Sequence, residues 1–131
     1  MIVDSSAIVA IVREESSWEV CFDALHASPT RRISAANLLE AAIVVDRLPN
    51  PRASVRFDDF IRRFRLVVEP VTLSQVIIAR EAHGRYGRGS GHPARLNFGD
   101  CFAYALALSY DEPLLFVGND FIHTDVRRAL D

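Results

Sequence analysis

The chain has 131 residues and a formal net charge of −2; half of its residues are hydrophobic and 24% are charged. This composition excludes a disordered tail, and the length predicts a single domain over residues 1–131. All fifteen basic residues are arginine, which excludes Schiff-base chemistry on a lysine and the lysine of a nucleotide-binding P-loop. The near-neutral charge gives no sign of nucleic-acid binding by itself.

In chain order, short apolar runs alternate with helical patterns, and prolines and capping residues mark their ends. Ser5 or Ser6 is expected to cap the first helix, and the spacings of residues 16–19 and 72–75 are those of capping boxes. The predicted elements are a strand over 1–3, helices over 7–12 and 18–25, a strand over 31–34, helices over 35–48 and 51–64, a strand over 65–71, a helix over 73–82, a loop over 84–97, a helix within 96–107, a strand over 113–118 and a final helix over 125–130.

Short strands of three to seven residues separated by helices predict βαβ units and a parallel sheet that is covered on both faces. We therefore expect a three-layer α/β/α domain with a short central parallel sheet. Pro70 indicates that the end of the third strand is not a central position of the ladder.

The two cysteines, Cys21 and Cys101, lie far apart, without a CxxC spacing. Both fall within apolar helical patterns, so we expect buried free thiols in a reducing compartment. No basic-then-apolar leader opens the chain, and no apolar run approaches the roughly 20 residues of a membrane span. These features predict a cytoplasmic protein without a membrane partner.

Four acidic residues fall at related places in the predicted elements. Asp4 ends the first strand, Asp120 lies two residues beyond the fourth, Asp100 lies in the first turn of its helix, and Glu40 lies in the first half of the helix after the second strand. Right-handed crossovers bring the carboxyl ends of parallel strands to one edge, so we expect the four side chains to meet there. Each also has a purely structural interpretation. Asp4 is then a helix cap and Glu40 a solvated helix position. Asp100 is then a helix-start carboxylate and Asp120 a turn residue.

Clustered carboxylates need an explanation, because two of them about 4 Å apart repel by about 4 kcal/mol at an effective dielectric constant of about 20. Either some are protonated or a cation lies among them. Oxygen ligands without clustered histidine or cysteine suit Mg²⁺ or Mn²⁺ better than zinc.

Four segments, "IVDSSAIVAIV", "AANLLEAAIVV", "LNFGDCFAYALA" and "PLLFVGNDFIHTD", resemble the signature segments of the PIN-domain ribonucleases, and most closely those of VapC-like toxins. The resemblance implies a small parallel sheet between helices and an acidic quartet, Asp4, Glu40, Asp100 and Asp120, that binds Mg²⁺ or Mn²⁺. Ser6 matches a supporting polar residue of the family's site. Asp120 is the least specific match, because the fourth acidic position varies within the family.

The same resemblance implies a metal-dependent endoribonuclease that cuts RNA to leave a 5′-phosphate and a 3′-hydroxyl. It also implies a homodimer and a VapB-like antitoxin whose C-terminal segment occludes the site. The helix over 35–48 is apolar almost all round, which favours burial against a partner. Two alternatives remain: a PIN nuclease of RNA processing that is not a toxin, and a non-catalytic dimerising module, against which the intact quartet argues.

Residues 80–95 carry four arginines and one glutamate. They form either an RNA-steering lip beside Asp100 or a solvated loop. Among nearby aromatic residues, Phe98 and Tyr104 are expected in the core, and Tyr86 is left open between core packing and base stacking. His123 is expected to be a surface turn residue rather than a general acid.

Overall fold

The computed structural model describes all residues, 1–131. It contains four strands and six helices. The strands are β1 (Ile2–Val3), β2 (Arg32–Ser34), β3 (Val67–Glu69) and β4 (Leu114–Leu115), and the helices are α1 (Ser5–Val12), α2 (Trp18–Ala27), α3 (Ala35–Asp46), α4 (Ala53–Arg63), α5 (Leu73–Tyr86) and α6 (Phe98–Tyr110).

The strands form one parallel sheet in the order β3-β2-β1-β4. Adjacent strand residues face opposite sides, as the pleat requires. Val3 and Leu115 pack in a cluster with residues of α1 to α4, whereas Ile2 and Leu114 pack in a second cluster with residues of α5 and α6. The sheet therefore lies between two helical layers, which confirms the predicted three-layer α/β/α architecture. The edge position of β3 agrees with Pro70, which follows that strand.

Helix capping differs from the sequence prediction at two of three places. Asp4, not Ser5 or Ser6, is the N-cap of α1, because its carboxylate reaches the Ser6 backbone N–H. Ser17, the N-cap of α2, makes no side-chain bond to the backbone. Its ψ of 2° is far from the extended conformation that a capping side chain needs. Thr72 does cap α5, accepting the N–H of Gln75 at 3.2 Å, although Gln75 does not return the second bond of a capping box.

The predicted final helix over 125–130 is wrong. This segment runs alongside the free edge of β4, where the Leu114 N–H donates to Arg127 O at 2.8 Å and the Ala129 N–H donates to Leu114 O at 2.9 Å. A six-residue helix is marginal in water, whereas the open strand edge offers backbone partners, and Val126 is buried beside it.

The predicted state of both cysteines is confirmed, and one helix boundary moves. Cys21 and Cys101 are free and buried, at 0% and 5% exposure. Helix α5 runs four residues past its predicted end and takes in the first residues of the predicted loop. No helix combines the length and apolar character that a membrane crossing requires.

Candidate acidic site

The four predicted acidic residues line one cavity of about 300 Å³. Asp4 follows β1 directly, and Asp120 lies on the loop after β4, the strand that pairs with β1. Helices α3 and α6 bring Glu40 and Asp100 to the same place. No basic residue lines the cavity, and none of the four carboxylates takes part in an ion pair. Convergence at the carboxyl edge is as expected; the role of each residue stays a prediction.

Asp4 is 3% exposed and uses one carboxylate oxygen for structure. Its Oδ2 accepts the Ser6 N–H at 3.0 Å and the Ser6 hydroxyl at 2.5 Å. Its Oδ1 is buried and has no hydrogen-bond partner. The pKa of Asp4 is raised to about 6. Burial is the main cause and the charge of Glu40 adds to it, whereas the hydrogen bonds from Ser6 act in the opposite direction. An unpartnered buried oxygen is costly unless something binds it.

Ser6 links two parts of the site. The hydroxyl that donates to Asp4 also accepts the Val117 N–H at 3.0 Å. Val117 lies between β4 and Asp120. Ser6 therefore holds the start of α1 against the segment that leads to Asp120, and its supporting role in the site stays a prediction.

Asp100 both caps its helix and lines the cavity. Its Oδ2 accepts the Asn97 N–H at 2.8 Å, and the Asp100 N–H donates to Asn97 Oδ1 at 2.9 Å, which completes a capping box. The residue is 8% exposed. Burial raises the pKa of Asp100 to about 7; the bond from Asn97 opposes the rise, and the charges of Asp4, Asp120 and Glu40 add to it.

Glu40 is held against α6 by residues that the sequence reasoning missed. The Ser5 hydroxyl donates to Glu40 Oε1, and Asn37 Nδ2 lies 3.5 Å from the same oxygen and donates to Gly99 O at 2.9 Å. A Cβ on Gly99 would clash with Glu40 Oε2 and lie 2.8 Å from its Cδ, so only glycine leaves room for the carboxylate. The sequence signal for this arrangement was Asn37, the one polar residue besides Glu40 in the apolar run "AANLLEAA". Asn37 is fully buried in the structure.

Asp120 is the most peripheral of the four. It is exposed, follows Gly118, whose φ is +107°, and reaches the cavity from a loop without helix or strand. Its charge contributes to the raised pKa of Asp100. A loop restrains a side chain less than a helix start does, so the position of the Asp120 carboxylate is less fixed than those of Asp4 and Asp100.

The donor chemistry of the cavity fits a hard divalent cation, since it offers four carboxylates, one unpartnered oxygen and no competing cation. As the side chains stand, no three histidine, cysteine, aspartate or glutamate residues form a group that could hold a metal ion. Sharing one ion among three of these carboxylates therefore requires at least one side chain to rotate toward the others.

The aromatic predictions have mixed outcomes. Tyr104 is buried as expected, and its hydroxyl donates to Asp125 Oδ1 at 2.6 Å. Tyr86, for which the sequence allows either core packing or base stacking, is buried too. Phe98 is 79% exposed, so its predicted place in the core is wrong: its side chain lines a cavity between α5 and α6 instead. His123 is exposed in a turn, as expected.

Only half of the arginine-rich segment is a loop. Arg80 and Arg85 lie on α5, and Arg88 and Arg95 lie in the loop that follows. Arg85 lies 3.6 Å from an oxygen of Asp125, and the other three arginines form no ion pair. A parallel bridge between residues 87 and 96 closes the loop.

A short parallel sheet between helices, with acidic side chains converging at its carboxyl edge, is the arrangement of a PIN domain, and residues 1–127 match the family model described as PIN domain. VapC ribonuclease Mb0625 of Mycobacterium bovis and ribonuclease VapC28 of Mycobacterium tuberculosis are each 54% identical over 131 residues, covering 100% of this chain and 98% of the relative. Ribonuclease VapC of Mycolicibacterium smegmatis is 40% identical over 126 residues, 96% of this chain and 97% of the relative. The chain therefore belongs to the PIN-domain family, and within it to the VapC ribonucleases.

Solved structures agree on the fold. VapC20 of Mycobacterium tuberculosis, a sarcin-ricin loop cleaving toxin, superposes with a TM-score of 0.73 at 21% identity, covering 96% of this chain and 98% of that one. A toxin–antitoxin complex from Klebsiella pneumoniae gives a TM-score of 0.72 at 11% identity, covering 95% and 92%. At these identities the comparison establishes the shared architecture.

Proposed function

We propose that the protein is a single-domain endoribonuclease, the toxin of a toxin–antitoxin pair, that hydrolyses RNA phosphodiester bonds at the acidic cavity. The observation that carries the proposal is the group of four carboxylates without a counter-ion, in a chain that belongs to the VapC ribonucleases. Since the proposed substrate is cellular RNA, the proposal places the protein in the cytoplasm.

The proposed cofactor is Mg²⁺ or Mn²⁺, held by Asp4, Glu40, Asp100 and Asp120. When bound, the cation would lower the pKa of an attacking water molecule and neutralise charge on the phosphoryl oxygens. The protein supplies position: Ser6 fixes Asp4, Asn97 fixes Asp100, and Ser5 fixes Glu40. Each of these bonds leaves carboxylate lone pairs free for a ligand.

The raised pKa values of Asp4 and Asp100 make the proposed binding of a cation depend on pH. Asp100, with a pKa of about 7 in the metal-free protein, must lose its proton to act as a ligand. Cation binding therefore releases protons, and its affinity is expected to rise between about pH 6 and pH 8. Isothermal titration with Mn²⁺ in two buffers of different ionisation enthalpy measures the released protons.

The proposed partners are an antitoxin and a second copy of the chain. Helix α3 exposes Leu39 and Ile43 at 61% and 46%, together with Val44 at 40%, and Val44 also lines the acidic cavity. Exposed large apolar side chains in a contiguous group are typical of interaction surfaces. Sedimentation velocity of the wild type and of Leu39→Glu tests the homodimer: the variant is expected to be a monomer.

RNA cleavage by the purified protein tests the activity. We expect cleavage with Mg²⁺ or Mn²⁺, none with chelator, and a loss of at least about 100-fold in Asp4→Asn and Asp100→Asn. Asp23→Asn, which removes an exposed carboxylate on α2, is the control and keeps full activity. Cleavage in chelator, or by Asp100→Asn at the wild-type rate, contradicts the proposal.

Induction in cells tests the toxin role. Wild type is expected to stop growth and Asp4→Ala to leave it unchanged, and co-expression of the antitoxin restores growth. Cleavage in vitro without any effect on growth would instead favour a PIN nuclease of RNA processing.

A further inference from the structure

A second cavity lies beside the acidic one, between α5 and α6. It has a volume of about 410 Å³ and its lining is largely apolar. The lining residues are Val76, Ala79, Arg80, His83, Phe98, Cys101 and Phe102. None of them is acidic, so this cavity differs sharply in charge from its neighbour.

The two cavities share the first turn of α6. Asn97 and Asp100 line the acidic cavity, whereas Phe98 and Cys101 line the apolar one. Successive residues of a helix are rotated by about 100° around its axis, so the two cavities lie on neighbouring faces of the same turn, where one RNA strand lying across the start of α6 can reach both.

Phe98 has the character of a binding residue rather than a packing residue. Its side chain is 79% exposed, and its ring meets that of Phe102 edge to face, with centroids 4.9 Å apart and planes at 86°. The edge contact leaves a face of the Phe98 ring available. Exposed aromatic faces of this kind stack on the bases of single-stranded nucleic acids.

Arg80 supplies the matching charge. It is exposed, forms no ion pair, and lies one turn before His83 on the same wall of the cavity. A free guanidinium beside an aromatic ring suits a nucleotide, which brings a flat base and an anionic phosphate together.

We propose that the cavity between α5 and α6 binds one nucleotide of the RNA next to the cleaved bond, with its base stacked on Phe98 and its phosphate held by Arg80. The inference rests on the proposed function, because it places the reacting phosphate in the acidic cavity. It makes Phe98 and Arg80 substrate-binding residues.

Binding of short homopolymeric RNAs, followed by fluorescence anisotropy, tests the subsite. The titrations use the full chain with Asp100→Asn as background and Mg²⁺ present, so that bound RNA is not cut. Phe98→Ala is expected to weaken binding about 5- to 150-fold, the range measured for loss of one stacking aromatic, and Phe98→Trp to retain it. Arg80→Ala is expected to reduce the log–log salt slope by about 0.7, the value for one phosphate of a single strand.

Two matched variants control for nonspecific effects. Val55→Ala truncates an exposed apolar side chain on α4, and Arg52→Ala removes an exposed arginine without an ion pair. Both are expected to leave affinity and salt slope unchanged. Sedimentation velocity on every variant reports whether Phe98 lies instead between two copies of the chain.

Weaker binding by Phe98→Ala with an unchanged sedimentation coefficient supports the subsite. Unchanged affinity in that variant, or a change from dimer to monomer, overturns it. The proposed function is judged separately, by whether the protein with Asp100 intact cuts RNA and Asp100→Asn does not: a chain that cuts RNA equally well with and without Phe98 keeps the function and loses the subsite.

Discussion

Replacing Asp100 with asparagine is expected to stabilise the metal-free protein at neutral and alkaline pH while it abolishes RNA cleavage. The carboxylate is 8% exposed and faces the charges of Asp4, Glu40 and Asp120, so its ionised form is disfavoured in the fold. Asparagine has the same shape and keeps an oxygen that accepts the Asn97 N–H, so the capping box survives the change.

The magnitude follows from the pKa of Asp100, about 7 in the fold against an ordinary value of 3.8. A folded-state pKa above the unfolded value means that stability is fully present below about pH 4 and is lost as the pH rises through about 7. The full difference corresponds to about 4 kcal/mol. Part of it is repulsion shared with the other carboxylates, so we expect Asp100→Asn to gain about 2–4 kcal/mol at pH 8 and less than about 1 kcal/mol at pH 4.

Urea unfolding in the presence of chelator, at pH 4 and at pH 8, measures this difference. Asp23→Asn, with its exposed carboxylate on α2, is the control and is expected to change the free energy of unfolding by less than about 0.5 kcal/mol at either pH. An Asp100→Asn variant less stable than wild type at pH 8, or equally shifted at both pH values, would refute the reasoning, because burial and repulsion of the carboxylate would then not govern its energy.

Three further substitutions test whether stability and activity change separately or together. Gly99→Ala is expected to displace the Glu40 carboxylate and to lower the rate of RNA cleavage at least about tenfold, while urea unfolding changes by less than about 1 kcal/mol because a flexible side chain can move away. Ser6→Ala removes a hydroxyl that bonds to both sides of the site and is expected to lose about 1–3 kcal/mol of stability together with activity, in the same two assays. Tyr104→Phe deletes the bond to Asp125, outside the acidic cavity, and is expected to cost about 1 kcal/mol in urea unfolding with an unchanged cleavage rate.

The architecture was predictable because the alternation of short strands and helices is a local signal, and parallel strands then leave few topologies. The same rules placed Asp4 and Asp120 at one edge. What local patterns do not contain are partners distant in sequence. The residues over 125–130 read as a helix, but the open edge of β4 is their partner. Phe98 reads as a core residue, because periodicity gives the face of a helix but not whether a neighbouring element covers that face.

Asp100 shows why a helix cap and a proposed metal ligand are not alternatives. A capping bond occupies one oxygen: Oδ2 of Asp100 accepts the Asn97 N–H, and Oδ2 of Asp4 accepts the Ser6 N–H, while Oδ1 of Asp4 stays without a partner. Both residues sit at helix N-termini, where backbone dipoles favour negative charge. The helix start fixes the side chain, and both residues line a cavity whose other carboxylates repel theirs. Capping therefore provides the rigidity, and repulsion provides the affinity, that the proposed cation site at this edge requires.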